Sequence, residues 1–504
     1  MCGIVGIYGR QDAATGLRML RRLSHRGPDG QGAVALPSAW LGHRRLSIVD
    51  PSGGRQPLTS EDGRLHMVGN GEIYNHEQIR SGLHPDVMFT SASDNEVALN
   101  LVEQEGPGAL EKLTGMYALL VAGQDDRFVA ARDPVGIKPL YWAQRDGEVI
   151  FASEMGAFDA EWQPEVALFP PGHYWTPDEG LVRFASPVPP DRQERFPPPE
   201  GPDAEPPQEL IHELRATVVD AVERWMMADV PVGVFLSGGL DSSIVAAVAA
   251  NCYRRSGQTL QTFAVGSEGS ADLKLARIVS EHLGTEHHER VFNRREARAA
   301  LPDVVRIIES FDPSLVRSAV PNYFLSELAV SRVKVVLTGE GVDELFAGYD
   351  YQRAIEEDVD LQEEIVRTVE SLHGLNLQRC DRVTMYYGLE ARVPFLDLDV
   401  IAFSLDIPAG WKLRSESRPE KWLLRLAFEG WLPDEVLWRE KAEFGDGSGA
   451  AVALGKDEDR EAVDDDDPMT RHLRSKEEAA YYRIFREHLA DISPERTLTL
   501  FATA

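Results

Sequence analysis

The sequence predicts two domains of different class: an α+β unit with stacked sheets, then an α/β unit built on a parallel sheet. Three observations carry this reading. Over residues 2–186, short β-rich runs alternate with Gly- and Pro-marked turns. A proline-rich stretch without apolar periodicity follows, and beyond it apolar strands run straight into helical patterns. With 504 residues, of which 43% are apolar, the chain has material for more than one core.

In the first unit Met116–Gly123, Arg127–Ala131 and Val149–Ser153 read as strands, being rich in apolar residues and bounded by turn signals. Residues 187–207 read PVPPDRQERFPPPEGPDAEPP, stiffened by proline and lacking the periodicity needed to bury a face; they form the expected linker. The second unit, 208–504, opens with Leu210, Ile211, Leu214, Val218 and Val222 at helical spacing. Val232–Leu236 is then a continuous apolar strand, the kind a parallel sheet buries on both faces, and it feeds the helical stretch Ile244–Ala250. Gln261–Val265 and Val333–Leu337 repeat the strand-then-helix alternation. Asp464–Asp467, in a segment of low apolar content, reads as a solvated loop.

Charge and composition narrow the function. The chain carries 52 Lys+Arg against 82 Asp+Glu, a net charge of −30, so a phosphate-backbone surface would have to be assembled against the overall field. Small-molecule chemistry is favoured over nucleic acid. There is no run of about 18 apolar residues and no basic-then-apolar leader, which argues against a membrane partner. Cys2, Cys252 and Cys380 are too few for a disulfide framework, and the expected compartment is the cytoplasm.

Cys2 follows the initiator Met1. Removal of that methionine leaves a thiol and a free α-amine on one residue, and the amine can serve as the thiol's own general base. Its company is specific: MCGIVGIYG, SHRGPDG (24–30), GHRRLSIVD (42–50), NGEIYN (70–75) and SASDNE (91–96) recur in that order, with GIKPLYW (136–142) beyond. In these motifs the first unit resembles the class II glutamine amidotransferases, whose N-terminal-nucleophile domain is an αββα sandwich that hydrolyses glutamine to glutamate and ammonia. The resemblance implies that Cys2 attacks the carboxamide and that the Asn70 side chain and the Gly71 N–H stabilise the tetrahedral oxyanion. It also implies that Arg45 forks onto the substrate's α-carboxylate, while Glu72 and Asp94 take its α-ammonium.

The second unit carries SGGLDSS (237–243) between the strand 232–236 and a helix. Two glycines let backbone N–H groups close on an anion at the helix N-terminus, yet the Gly–Lys–Ser/Thr ending of a Walker loop is missing. The loop resembles that of the ATP pyrophosphatases, relatives of the adenine nucleotide alpha hydrolases, which cleave ATP to AMP and pyrophosphate. LTGEGVDELFAGY (337–349) adds a second acidic cluster after an apolar strand. Asp241 and Asp343 are the expected ligands of Mg²⁺, whose hard shell takes carboxylate and phosphate oxygens. By resemblance the ATP site is Leu236, Ser237, Gly238, Gly239, Asp241, Ser242, Ser243, Val265 and Gly339.

Joined with FAVG (263–266), LGTEHHE (283–289), LEARVPFLD (389–397) and KWLLRLAF (421–428), these motifs resemble the glutamine-dependent asparagine synthetases over nearly the full length. The resemblance implies glutamine, ATP and aspartate as substrates and a homodimer as one open assembly. Glutamine hydrolysis supplies ammonia through a tunnel to an aspartyl-AMP intermediate, giving asparagine, AMP, pyrophosphate and glutamate. Glu340 would deprotonate the ammonia, and Arg317 and Lys441 would bind phosphate charge. The match weakens at 311–321: Ser314 and Leu315 stand where the family has threonines, and Val342 where it has serine or alanine. These residues predict a more apolar acceptor pocket. They leave open an amidotransferase of the same mechanism acting on another carboxylate in specialised metabolism, beside the alternative of an inactive glutamine or nucleotide sensor.

Overall fold

Consecutive apolar pairs shape the first domain, because neighbouring residues in a strand point to opposite faces of the sheet. In a computed structural model, which describes residues 2–201, 204–355, 357–413, 418–439, 447–450 and 472–499, both faces are covered. Met67, Leu119 and Val129 pack beneath the helix Glu96–Glu105 with its Val97 and Leu101, whereas Val68, Leu120 and Ala130 meet Ile4, Leu41 and Phe151 of the other sheet. Each sheet has six strands. One runs Ala167–Leu168, Tyr141–Arg145, Glu148–Ala152, Cys2–Tyr8, Ala39–Arg45, Gly30–Ala35; the other runs Gly180–Arg183, His173–Thr176, Phe128–Arg132, Gly115–Gly123, Leu65–Ile73, Leu58–Thr59. Every pairing in both is antiparallel. Helix Ala13–Arg22 closes the outer face of the first sheet, burying Met19 and Leu20 in one cluster with Trp40. The result is the expected αββα sandwich.

The second domain holds a five-stranded sheet in the order Glu286–Phe292, Gln261–Ser267, Val232–Phe235, Val335–Leu337, Glu390–Arg392, all parallel. Chain order reverses between Val232–Phe235 and Val335–Leu337. In an open α/β sheet the crevice at such a switch point, beyond the carboxyl ends of the strands, is where ligands bind. Strand Val335–Leu337 starts two residues later than the apolar run suggests, because the Val333 N–H still donates to the Ala329 carbonyl at the end of the preceding helix (3.1 Å). Helix Gln208–Trp225 buries Leu210, Ile211, Leu214, Val218 and Val222, the residues its periodicity nominates.

Among the described residues no helix or strand lies between Arg183 and Gln208. The proline-rich stretch nonetheless buries Pro187, Phe196 and Pro206, contrary to the expectation from its pattern. Phe196 packs edge-on to Phe403 (6.0 Å between ring centres), and the Pro197 carbonyl accepts from Trp411 Nε1 (2.8 Å). Asp464–Asp467 lie outside the described residues. No described helix is long and apolar enough to cross a membrane.

The domains dock through buried charge. Helix Asn376–Tyr386 of the second domain presents Asp381 to Arg26 of the first (Oδ2–Nη1, 2.8 Å), and Arg26 also reaches Glu154 (2.7 Å). Arg382, one residue on, pairs with Glu309 (3.0 Å) and Glu154 (3.3 Å) and donates to the Ser153 carbonyl (2.8 Å). Arg26 and Arg382 are fully buried. Removing one partner of such a network strands the other charge, which costs about 3–5 kcal/mol. Asp381→Ala is therefore expected to lower stability by about 3 kcal/mol, since Glu154 still holds Arg26. Urea unfolding followed by tryptophan fluorescence checks this, and an unchanged midpoint would contradict it.

Candidate active sites

The first site begins with register. Cys2 pairs with Arg45 across adjacent strands, so the thiol and the guanidinium share one end of the sheet. Arg45 is held by the carbonyls of Pro51 (3.0 Å) and Asp50 (2.6 Å), which fix the guanidinium. Cys2 is buried, and burial pushes its thiol above the usual range, so at neutral pH it is protonated and needs a base. The Cys2 N–H donates to Asn70 Oδ1 (2.8 Å), which turns the Asn70 amide group away. That Nδ2 is buried and has no hydrogen-bond partner among the described residues, as a donor held ready for an incoming oxygen would be. Gly71 sits at φ +147, and a Cβ there would lie 1.9 Å from the Met116 carbonyl, so only glycine lets this backbone pass.

Glu72 and Asp94 are buried near one another, and Glu72 lies near Cys2. Asp94 accepts from the Ile73 N–H (2.7 Å) and Asn95 Nδ2 (3.1 Å). Burial and each other's proximity push the Glu72 carboxyl well up, and burial also raises that of Asp94. Paired acids of this kind gain most from a cationic group. The Cys2 carbonyl is tied in turn: Arg26 Nε donates to it at 3.0 Å, so the arginine that joins the domains also holds the backbone of the candidate nucleophile.

The second site lies at the switch point, where a cavity of about 400 Å³ opens beyond the strand ends. Leu236, Ser237, Gly239, Asp241, Ser242, Val265, Gly339, Arg317, Glu340 and Asp343 line it. Gly239 caps the helix Leu240–Arg255, and Ser237 Oγ, Ser242 Oγ and the Gly239 N–H hydrogen-bond one another around the turn. Two expected residues are not in the wall. Gly238 turns at φ +74 onto the backbone of Ala276, and Ser243 is fully buried outside the cavity lining. A Cβ at Gly339 would come 2.7 Å from Asp241 Cβ, so the two acidic loops touch at backbone distance.

Lys421 also lines the cavity, although its local sequence gives no sign of this role. Its ammonium lies 2.6 Å from Asp241 Oδ2 and 2.7 Å from Asp343 Oδ1, placing both carboxylates within reach of one point. It is buried and left-handed (φ +57), a conformation a lysine adopts only when its surroundings impose it. Hard carboxylate oxygens converging on one point fit a divalent cation completed by phosphate oxygens and water, although no cluster of three or more acidic, His or Cys side chains forms a self-sufficient metal cage among the described residues. Arg317 reaches the wall while pairing with Glu477 (Nε–Oε1, 3.2 Å). Arg379, also missed, clamps Glu340. Both pairings link residues far apart in sequence, and each of these cations sits in an unremarkable local pattern. Lys441 lies outside the described residues.

Comparison with known proteins agrees with this layout. Residues 1–171 match the glutamine amidotransferase domain family, and 213–360 with 352–498 match asparagine synthase. The chain belongs to the asparagine synthetase family. Asparagine synthetase [glutamine-hydrolyzing] 2 of Oryza sativa subsp. japonica is 39% identical over 97% of this chain and 85% of its own length. Its Arabidopsis thaliana counterpart numbered 3 is 38% identical over 97% and 87%, and the Triphysaria versicolor enzyme 40% over 89% and 78%. Neither alternative, a different carboxylate or an inactive sensor, finds support in these relatives.

The apolar substitutions within the family pattern also resolve. Leu315 lines the cavity, as expected, but Val342 is fully buried in the core behind the wall and leaves the pocket's polarity unchanged. At the glutaminase end, Gly71→Ala is expected to abolish glutamine hydrolysis, because the added methyl must displace the Met116 carbonyl and with it the Asn70–Gly71 backbone. Glutamate release measured beside the circular dichroism spectrum checks this; full activity in a folded variant would contradict it.

Proposed function

We propose that the protein makes asparagine from aspartate, ATP and glutamine, using the two sites in turn. The observation that carries the first step is the Asn70 side chain, which accepts from the Cys2 N–H at 2.8 Å and leaves its amide nitrogen buried without a partner among the described residues. With Met1 removed, the Cys2 amine takes the thiol proton and Sγ attacks the glutamine carboxamide carbon. Asn70 Nδ2 and the Gly71 N–H stabilise the oxyanion, a contribution of about 3–4 kcal/mol per donor. Ammonia leaves, and water hydrolyses the thioester to glutamate. Arg45 holds the substrate's α-carboxylate, and Glu72 with Asp94 its α-ammonium.

At the second site the Ser237–Ser242 loop and its helix N-terminus bind the phosphates, with Val265 beside the adenine. Asp241 and Asp343 would hold Mg²⁺, which when bound neutralises phosphate charge as pyrophosphate departs. A β-carboxylate oxygen of aspartate attacks the α-phosphorus, and the aspartyl-AMP so formed accepts ammonia at its carbonyl carbon. Glu340, oriented by Arg379, takes the proton of the attacking nitrogen as AMP leaves. Arg317, Lys421 and Lys441 supply positive charge around the phosphates. Ammonia passing between the sites stays within the docked domains, where bulk water would otherwise protonate it.

Incubation with ATP, Mg²⁺, glutamine and a panel of carboxylic acids tests the acceptor: pyrophosphate release that depends on aspartate supports the reading, and release with another acid in its place would overturn it. Cys2→Ala should abolish glutamine-dependent asparagine yet leave ammonium-dependent synthesis, because the nucleophile serves only the first site. Loss of both activities would refute the division of labour. Glu340→Gln should lower amide formation about 10²–10⁴-fold, the worth of a positioned base, while ATP affinity is kept. Asp343→Asn should weaken ATP binding itself, which nucleotide titration separates from the first effect.

A further inference from the structure

The acids around the synthetase cavity are neutralised with one exception. Asp241 and Asp343 share Lys421, Asp272 meets Arg439 at 3.2 Å, Glu340 is clamped by Arg379, and Glu420 is paired with Arg425. Glu344 also lines the cavity, and among the described residues it makes no ion pair. Its Oε1 accepts from the Tyr349 hydroxyl (2.6 Å) and from Asn376 Nδ2 (3.3 Å), both neutral donors, and Asn376 Nδ2 donates to the Tyr349 oxygen as well (3.2 Å).

The helix Asn376–Tyr386 explains the difference. Asn376 and Arg379 lie three residues apart and so project from the same helical face, one reaching Glu344 and the other Glu340. Along one wall, therefore, an arginine neutralises the first acid and an amide merely orients the second. Glu344 is buried, 2% exposed, at the cavity wall. A buried carboxylate without a cation is costly, and the ligand that brings one gains accordingly. ATP itself is anionic, and the Mg²⁺ that would accompany it is assigned to Asp241, Asp343 and the phosphate oxygens. An amino-acid acceptor brings an ammonium.

We propose that Glu344, oriented by Tyr349 and Asn376, binds the α-ammonium of the acceptor and thereby selects an α-amino acid over the corresponding simple dicarboxylate. The inference rests on the reading that the acceptor is aspartate. It assigns Glu344 to binding, with proton transfer left to Glu340.

The test compares aspartate with succinate, which is aspartate without its amino group, using ammonium as nitrogen donor so that the first site is bypassed. Wild type should prefer aspartate. In Glu344→Gln, which keeps the shape and an acceptor for Tyr349, the aspartate/succinate ratio of kcat/KM should fall about 10- to 100-fold, the worth of a charged hydrogen bond. The change should lie mainly in KM for aspartate, with the KM for ATP little altered. Glu344→Asp should restore part of the preference, and equal thermal unfolding of wild type and variants shows that the fold is kept. An unchanged ratio in a folded Glu344→Gln, or a fall in kcat alone, would overturn the inference while leaving the acceptor reading intact. Wild type that releases no pyrophosphate with aspartate would overturn the acceptor reading, and this inference with it.

Discussion

The ion pair between Arg26 and Asp381 is the contact on which the two-site arrangement depends. It joins the domains, and through Arg26 Nε it also holds the carbonyl of Cys2. Buried ion pairs add little net stability, because the desolvation of both charges offsets their attraction, but they are strict about geometry. Undocked domains would leave Arg26, Arg382, Glu154, Glu309 and Asp381 to rearrange in water, and the backbone of Cys2 would lose its anchor. The same helix carries Arg379 and Asn376 into the synthetase cavity, so one element lines the second site and reaches the first through Arg26.

Topology does comparable work at the second site. The strand order places the SGGLDSS turn and the GEGVDE turn side by side at the sheet's switch point, and Gly339 lets them meet without an intervening side chain. Asp241 and Asp343 are thus held close by backbone, and Lys421 offsets their mutual repulsion. The left-handed backbone of Lys421 is a local strain accepted at a functional position.

Much of this was legible in the sequence, for reasons that particular residues make plain. A strand buried on both faces reads as an unbroken apolar run, so Val232–Phe235 and the paired residues of Gly115–Gly123 announced themselves. Turns that must bind anions need glycine and serine in fixed order, which marked the loop at 237–243. Gly238 and Ser243 show the limit of reading a motif as a site: some of its members shape the turn rather than face the ligand. Three of the cations were illegible, because Lys421, Arg379 and Arg26 take their meaning from partners 180, 39 and 355 residues away. Phe196 was missed for a related reason, since one aromatic among prolines has no periodicity to reveal it. Val342 reads as part of the pocket only until the short helix Val342–Leu345 turns it inward.

The close approach at Gly339 bears on how such a site can change over evolutionary time. Where backbone rather than side chains sets the width of a cavity, substitution cannot widen it without moving strands. The triphosphate end is therefore the geometrically fixed limit of the site's adaptability, and new acceptors must be accommodated elsewhere. The wall bearing Tyr349, Tyr351 and Asn376 is built from side chains, and Tyr351 stands 45% exposed at its rim. A lineage drifting towards a bulkier acceptor would accumulate its substitutions there while the phosphate loops stayed fixed.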